Sequence, residues 1–274
     1  MTTTTSMRRV SELLDLSGRV ALVTGGAGHI GLAIGQALVE LGATVAVSDC
    51  DQPRCDERAA VLCAHAGRTG AALGFAADLG DEGSTRALVA AVGERCGRLD
   101  ILVHNAGFTG TSQLSGWNEP FARQSLAAWR QAMAVNLDAV FVLAQAAAPL
   151  LQRSPAASML LIGSIYGVLA PQWSLYEGTA MCNPAAYNAS KGGLIQMGRY
   201  LASTLAPVRV NCISPGGVAR GQAESFQARY VERTPLKRMA REEDFKGAVA
   251  YLAGDAAGYV TGQNLLVDGG WSAW

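Results

Sequence analysis

Short runs of almost uniformly apolar residues alternate along the chain with longer segments in which apolar residues recur at helical spacing. The apolar runs lie at 20–23, 44–48, 99–103, 159–162, 208–213 and 265–267, with a weaker one at 73–76. The helical patterns cover 30–41, 53–66, 83–96, 126–151, 184–205 and 242–253. Strands without alternation are typical of parallel strands covered on both faces. The pattern therefore predicts an α/β fold, a doubly wound parallel sheet of about seven strands with helices on both faces.

The same pattern predicts a single domain over 17–274, preceded by a flexible leader over 1–16. Three less regular segments, 107–123, 167–183 and 216–235, begin at or near the carboxyl ends of predicted strands. Ligands of open parallel sheets bind beyond these ends. We therefore expect a binding site formed by the three segments.

Composition narrows the class of partner. The chain has 274 residues, half of them hydrophobic, and 22 basic residues balance 22 acidic ones without a block of like charge. This balance argues against nucleic acid and anionic membrane surfaces and favours a small molecule. An apolar signal region near the N-terminus and a run of about 18 apolar residues are both missing, which predicts a soluble cytoplasmic protein. The six scattered cysteines fit reduced thiols better than disulfides, and no metal site is expected.

A glycine-rich stretch, T-G-G-A-G-H-I-G at 24–31, follows the first predicted strand and opens a helix. Gly26, Gly28 and Gly31 fit the spacing G-x-G-x-x-G, in which glycine permits a tight turn and a close approach of the backbone to a pyrophosphate. The helix N-terminus then offers free N–H groups to the phosphates. This context predicts a dinucleotide site.

An acidic residue, Asp49, ends the second predicted strand 18 residues after Gly31. A carboxylate there can accept hydrogen bonds from the adenosine ribose and would repel a 2′-phosphate, which favours NAD over NADP. The neighbouring Cys50 and Asp51 add no positive charge. The alternative is that Asp49 only begins a turn.

One tyrosine stands out among the seven in the chain. Tyr187 is the only one followed four residues later by a lysine, Lys191, whereas Tyr166 and Tyr176 have alanine at that offset. Residues four apart share a helix face, so an ammonium can stabilise a phenolate that otherwise forms only near pH 10. The alternative is a chance pair on a solvated surface.

Taken together, these features resemble the short-chain dehydrogenase/reductase family from about residue 17 to the C-terminus. The resemblance implies a Rossmann-type fold and the interconversion of a secondary alcohol and a ketone with NAD(P). Its motifs are the turn at 24–31, D-L at 78–79, N-A-G at 105–107, Asn136 in M-A-V-N, Ser164 in G-S-I, Tyr187 and Lys191, N-C-I-S-P-G at 211–216 and V-D-G-G at 267–270.

The resemblance also implies roles for four catalytic residues. Tyr187 is the acid/base, Lys191 lowers its pKa and holds the nicotinamide ribose, Ser164 orients the substrate oxygen, and Asn136 anchors a proton-relay water. Taken alone, Ser164 and Asn136 could be satisfied polar residues at the ends of elements. The implied cofactor contacts are Gly25, Gly28, His29, Ile30, Gly31, Asp49, Asp78, Leu79, Asn105, Ala106, Gly107, Tyr187, Lys191, Pro215, Gly216 and Val218.

The chain also departs from the family pattern. The glycine spacing resembles the longer epimerase-type branch, but only 58 residues follow Gly216, so we expect the compact branch. Ala27 stands where compact NADP-users often carry a basic residue, which again favours NAD. Arg220 replaces an expected threonine, and could reach a pyrophosphate or an anionic substrate.

The interval of 23 residues between Ser164 and Tyr187 is longer than usual in the family. Insertions at strand ends face the ligand crevice, so Tyr176, Glu177 and Asn183, together with Arg220, are predicted to bind substrate. Such polar groups would suit a sugar-like or cyclitol substrate and reject a plain acyl chain. The alternative is a surface loop without a ligand role.

Two other functions stay open at this point, a 3-oxoacyl thioester reductase using NADP and a non-catalytic dinucleotide sensor. An intact set of catalytic residues disfavours the sensor. The family resemblance implies a homodimer or homotetramer, with contacts at the last helix, 265–267 and the W-S-A-W tail. Trp271 and Trp274 could instead fold back on their own subunit.

Overall fold

The structure is a computed structural model that describes residues 7–108 and 114–274. A parallel sheet of seven strands forms its centre, in the order β3-β2-β1-β4-β5-β6-β7. The predicted α/β class and Rossmann-type sheet are confirmed. The strands are β1 Val20–Thr24, β2 Thr44–Asp49, β3 Ala72–Ala76, β4 Ile101–His104, β5 Ser158–Ile162, β6 Arg209–Pro215 and β7 Asn264–Val267.

Helices cover both faces of this sheet. They are α1 Val10–Leu14, α2 His29–Glu40, α3 Gln52–Ala66, α4 Glu82–Cys96, α5 Leu126–Met133, α6 Ala139–Leu151, α7 Ala185–Thr204, α8 Glu224–Arg233 and α9 Lys246–Ala253. Local sequence explains several ends. Asp51 and Asp81 cap α3 and α4 by accepting backbone N–H groups, and both helices stop at left-handed glycines, Gly67 and Gly97.

The strands supply two hydrophobic cores, one on each face of the sheet. In β1, Leu22 packs into the core shared with α4, α6 and α7. Its neighbours Ala21 and Val23 pack into the core shared with α2, α3 and α9. Because successive strand residues point to opposite faces, both faces need apolar residues, which accounts for the uniform runs in the sequence.

The helix predicted over 126–151 is divided. A π-helical turn, Ala134–Asp138, separates α5 from α6. By length and composition alone, the run Leu126–Leu151 could cross a membrane, because an 18-residue window within it has a mean hydropathy of 1.6. That result is contrary to the expectation that no such stretch exists. Val140 and Leu143 of this run are nevertheless fully buried in the hydrophobic core beside the sheet.

Two other segments differ from expectation. In the leader predicted to be flexible, residues 7–16 include α1, Leu16 is fully buried, and Arg8 forms an ion pair with Asp255 at 2.7 Å. The irregular segment 216–235 contains α8, in which Phe226 and Tyr230 are buried one turn apart. The helix predicted at 242–253 begins as a 3-10 turn. Residues 1–6 of the leader and 109–113 of the segment 107–123 lie outside the described residues.

Candidate functional site

The glycine turn after β1 has no room for side chains. A Cβ on Gly31 would lie 2.1 Å from the Gly25 carbonyl oxygen, and one on Gly25, whose φ is +60°, would lie 2.8 Å from Ala106 Cα. Asn105 Nδ2 donates to the carbonyls of Thr24 and Gly25 at 3.1 and 3.0 Å. The segment after β4 therefore contacts the glycine turn, which places Asn105 and Ala106 beside it, and their contact with a cofactor stays a prediction.

The turn leads directly into the N-terminus of α2. Within the described residues, Gly28 provides no side-chain cap there, and the first turn carries no acidic residue. His29 is exposed and Ile30 is half-buried. Free N–H groups and the positive end of the helix dipole suit an anionic ligand. The glycine turn leaves a space beside the N-terminus of α2 that side chains would fill; we call this space the phosphate cradle. It fits the pyrophosphate of a nicotinamide dinucleotide.

Asp49 ends β2 and is half-buried at the same edge of the sheet. Its Oδ1 accepts the Cys50 N–H at 2.9 Å and the Cys50 thiol at 3.5 Å. The exposed Arg54 of α3 is near enough to lower the Cys50 thiol pKa, although burial of that thiol raises it overall. The sequence argument found no positive charge beside Asp49 because it used only the adjacent Cys50 and Asp51. The first turn of α3 brings Arg54 near Cys50.

The other predicted cofactor residues lie at the carboxyl ends of their strands. Asp78 and Leu79 follow β3, with the former exposed and the latter buried. Pro215 is the last residue of β6, and a Cβ on Gly216 would lie 2.8 Å from the backbone of the segment after β7. Val218 forms an isolated bridge beyond them. The structure thus brings all five to the edge that carries the glycine turn.

The predicted catalytic side chains meet where β5 ends and α7 begins. Ser164, two residues beyond β5, lies near enough to the phenol of Tyr187, in the first turn of α7, to lower its pKa. One turn later, Lys191 is buried, with its Nζ 5.7 Å from the centroid of the Tyr187 ring. This Nζ donates to the Ile162 carbonyl at 2.7 Å. The cluster joins a phenol, a hydroxyl donor and a cation.

The expected depression of the Tyr187 pKa by Lys191 is wrong for this structure. Burial raises the pKa of the phenol above its usual value, while the hydrogen bond from Ser164 acts in the opposite direction. Burial also lowers the pKa of Lys191 to about 8. The Lys191 ammonium is held by the Ile162 carbonyl, so helical spacing alone does not bring it to the phenol oxygen.

Asn136 lies in the π-helical turn and is fully buried. Its Oδ1 accepts the Phe108 N–H at 2.8 Å, and its Nδ2 donates to Ser190 Oγ at 3.0 Å. A Cβ on Gly107 would lie 3.1 Å from this Oδ1 and 3.7 Å from Lys191 Nζ. The side chain of Asn136 therefore joins the segment after β4 to α7, and Gly107 lies between it and the Lys191 ammonium.

One buried residue of this region, His104, was not predicted from the sequence. His104, the last residue of β4, is fully buried, with Nδ1 3.4 Å from Thr24 Oγ1. Burial lowers its pKa to about 3, and the Asn136 backbone carbonyl and Lys191 also act on the ring. The imidazole is therefore neutral at physiological pH. An ionisable residue inside the apolar run I-L-V-H was the available signal.

Two of the four predicted substrate residues lie together. The Tyr176 hydroxyl is 2.8 Å from the Tyr166 hydroxyl and accepts from Asn183 Nδ2 at 3.1 Å. Tyr176 also acts on the pKa of Tyr187, which it raises. The segment between Ser164 and Tyr187 thus brings a polar group near enough to act on the catalytic phenol.

The other two have different partners. Glu177 is exposed, and its backbone carbonyl accepts from Arg229 Nη1 at 2.6 Å. Arg220 forms an ion pair with Glu242, with 3.2 Å between Nε and Oε1. Neither side chain hydrogen-bonds to Tyr166, Tyr176 or Asn183.

Comparison with known proteins agrees with this geometry. The family model described as Enoyl-(Acyl carrier protein) reductase matches residues 25–272. A crystal structure of a putative short-chain alcohol dehydrogenase from Sinorhizobium meliloti matches with a TM-score of 0.83 and 32% identity, over 95% of this chain and 99% of that one. The chain belongs to the short-chain dehydrogenase/reductase family.

Within the short-chain dehydrogenase/reductase family, similar proteins have different substrates. The rhamnolipids biosynthesis 3-oxoacyl-[acyl-carrier-protein] reductase of Pseudomonas aeruginosa is 35% identical, covering 93% of this chain and 97% of its own length. The ribulose-forming D-arabinitol 2-dehydrogenase of Scheffersomyces stipitis is 32% identical, covering 94% and 95%. The chain is thus a short-chain alcohol dehydrogenase/ketone reductase, an oxidoreductase acting on a small molecule.

Proposed function

We propose that this short-chain dehydrogenase/reductase uses NAD(H) to interconvert a secondary alcohol and a ketone on a polar, sugar-like or cyclitol substrate. The observation that carries the proposal is the meeting of Ser164, Tyr187 and Lys191 with the polar pair Tyr176 and Asn183 at one edge of the sheet.

The residues have complementary tasks in this reaction. A bound nicotinamide would supply or accept the hydride. Ser164 donates a hydrogen bond to the reacting oxygen, and Tyr187 transfers the proton to or from it. Because its pKa is raised, the phenol is protonated at neutral pH, which is the form that ketone reduction needs. Alcohol oxidation needs the phenolate, which the interaction with Ser164 favours.

The choice of NAD follows from charge at the end of β2. Asp49 can accept from ribose hydroxyl groups and would repel a 2′-phosphate. Arg54 is the opposing influence, because an exposed guanidinium could approach a phosphate. We favour NAD because the carboxylate belongs to the rigid end of the strand, whereas the guanidinium is solvated and screened.

The proposal of a sugar-like substrate rests on the polar side chains in the long segment between Ser164 and Tyr187. The Tyr176 hydroxyl loses a hydrogen bond to water if an acyl chain covers it, which costs about 1–3 kcal/mol. The similarity to D-arabinitol 2-dehydrogenase supports this substrate class. A second candidate, 3-oxoacyl thioester reduction, is favoured by the similarity to the Pseudomonas aeruginosa reductase.

Steady-state turnover separates these candidates. The purified protein is assayed with NADH and with NADPH, against a panel of keto-sugars and cyclic hydroxyketones and against acetoacetyl thioesters. We expect the highest kcat/KM with NADH and a hydroxylated ketone, and loss of turnover in Tyr187→Phe, which serves as the control for catalysis at this site. Preference for NADPH and a thioester would establish the second candidate instead.

Location in the cytoplasm and assembly into a homodimer or homotetramer stay predictions from the sequence.

A further inference from the structure

We propose that the Tyr176 hydroxyl donates a hydrogen bond to a second oxygen of the substrate, apart from the oxygen that reacts at Tyr187. The inference rests on the proposed function and narrows it to substrates that carry another acceptor oxygen near the reacting carbon.

The first step is the orientation of the Asn183 amide. Asn188 Nδ2 donates to the Pro184 carbonyl at 3.0 Å, and a carbonyl can only accept, so this end of the Asn188 amide is its nitrogen. The same nitrogen donates to Asn183 Oδ1. The opposite end of the Asn183 amide, which faces Tyr176, is therefore Nδ2, a donor only. The Tyr176 oxygen accepts this hydrogen bond.

The second step is the direction of the bond between the two phenols. Burial raises the pKa of Tyr166, and among the described residues Tyr176 is the one hydrogen-bond partner of its hydroxyl. If Tyr176 donated to Tyr166, the proton of this half-buried phenol would have no acceptor among the described residues. A donor that loses its partner away from water costs about 1–3 kcal/mol, so we infer that the bond runs from Tyr166 to Tyr176.

These two steps determine the state of the Tyr176 hydroxyl. Its oxygen accepts from Asn183 and from Tyr166, which uses both lone pairs. Its own proton is then not engaged in either bond and can be donated to a ligand. Tyr176 is thus a donor toward an oxygen acceptor such as a hydroxyl, an ether or a carboxylate.

Contacts on the other side hold the phenol in place. The Tyr176 ring lies 6.0 Å from that of Trp173 and 5.4 Å from that of Phe226 in α8. Arg229, also in α8, donates to the carbonyl of Leu175 at 3.2 Å, next to Tyr176 in the chain. A donor that is already fixed loses little side-chain entropy when a ligand binds, so its hydrogen bond contributes fully to selectivity.

The hydrogen-bonded chain Tyr166–Tyr176–Asn183 is connected to the catalytic residues through both of its terminal members. Tyr166 follows Ser164 by two residues, and the backbone N–H of Tyr166 donates to Ser164 Oγ at 3.2 Å. Asn183 precedes Tyr187 by four residues at the start of α7. A substrate held by Ser164 and Tyr187 therefore has Tyr176 beside it.

The test compares ketones that differ by one hydroxyl group. The kcat/KM is measured for cyclohexanone, 2-hydroxycyclohexanone and 4-hydroxycyclohexanone with the wild type and Tyr176→Phe. Tyr259→Phe, at a fully exposed position, is the matched control. We expect the wild type to prefer a hydroxylated ketone, and Tyr176→Phe to lower kcat/KM for that ketone by about 10–100-fold while changing that for cyclohexanone by less than about threefold.

A second variant tests the direction of the bond between the phenols. Tyr166→Phe leaves the Tyr176 proton free, so the preference for the hydroxylated ketone should persist. A preference that arises only in Tyr166→Phe would show that Tyr176 donates to Tyr166 in the wild type, and would overturn the inference. The inference would also be overturned if Tyr176→Phe lowered kcat/KM equally for all three ketones with an unchanged melting temperature. The proposed function would survive either of these results. A wild type that reduces no hydroxylated ketone would overturn the proposed function and the inference together.

Discussion

The buried ammonium of Lys191 should make the stability of the protein depend on pH in an unusual direction. Burial lowers its pKa from 10.5 to about 8. Below pH 8 the lysine is charged in both the folded and the unfolded chain, and the folded chain bears the whole cost of burying the charge. Between about pH 8 and 10.5 the unfolded chain binds more protons, so the contribution of Lys191 to the free energy of unfolding rises with pH.

The size of the effect follows from the shift. A difference of 2.5 pKa units, from 10.5 to about 8, corresponds to about 3 kcal/mol of destabilisation at pH 7. Integrating over the two ionisations, about 2 kcal/mol of this is recovered by pH 9.5. The side chain is only 4% exposed, so solvent screens the charge little. Lys191→Met also removes the hydrogen bond to Ile162, but that loss of about 1–3 kcal/mol does not change with pH.

The assay is urea unfolding of the wild type and Lys191→Met at pH 7, 8 and 9.5, without added nucleotide. We expect the difference between their free energies of unfolding to change by about 2 kcal/mol across this range, in favour of the wild type at high pH. Lys237→Met, at an exposed lysine, should show a change below about 0.5 kcal/mol. Parallel pH curves for wild type and Lys191→Met would refute the assigned burial cost.

Two further substitutions test the phosphate cradle and the core. Gly31→Ala places a Cβ 2.1 Å from the Gly25 carbonyl oxygen and should weaken NADH binding at least about tenfold in a fluorescence titration. Gly247→Ala, where a Cβ would meet nothing within 4 Å, should bind like the wild type, and equal weakening in both would contradict the cradle. Arg209→Met removes the donors to the Leu252 and Gly254 carbonyls, now 2.7 and 3.2 Å away, and should lower the free energy of unfolding by about 2 kcal/mol. The exposed Arg199→Met should change it by less than about 0.5 kcal/mol, and a similar loss in both would refute the role of burial.

Much of the fold was predictable because the sheet has simple requirements. A parallel strand between two helical layers must be apolar on both faces, and that requirement appears in the sequence as uninterrupted runs. The π-helical turn was not predictable, since one widened turn hardly alters the apolar spacing of a long helix. The helix α8 was missed because its sequence is mostly polar and only Phe226 and Tyr230 are buried.

The site was predictable where the chemistry depends on local spacing. The turn at 24–31 and the pair Tyr187 and Lys191 needed only neighbouring residues. The pKa of Tyr187 depends instead on burial and on the carbonyl that holds Lys191, neither of which spacing describes. Contacts between residues far apart in the chain, such as Asn136 with Ser190, could not be predicted from spacing either.

The aromatic contact between Tyr176 and α8 continues to the end of the chain. Phe226 stacks on Tyr230, and Tyr230 stacks on Trp271 at 4.3 Å between ring centroids. Trp271 is buried against its own subunit, whereas Trp274, three residues later, is exposed. A purification tag fused after Trp274 would sit at one end of a row of rings whose other end borders the catalytic phenol. Substrate preference should therefore be measured on protein that carries its tag at the N-terminus.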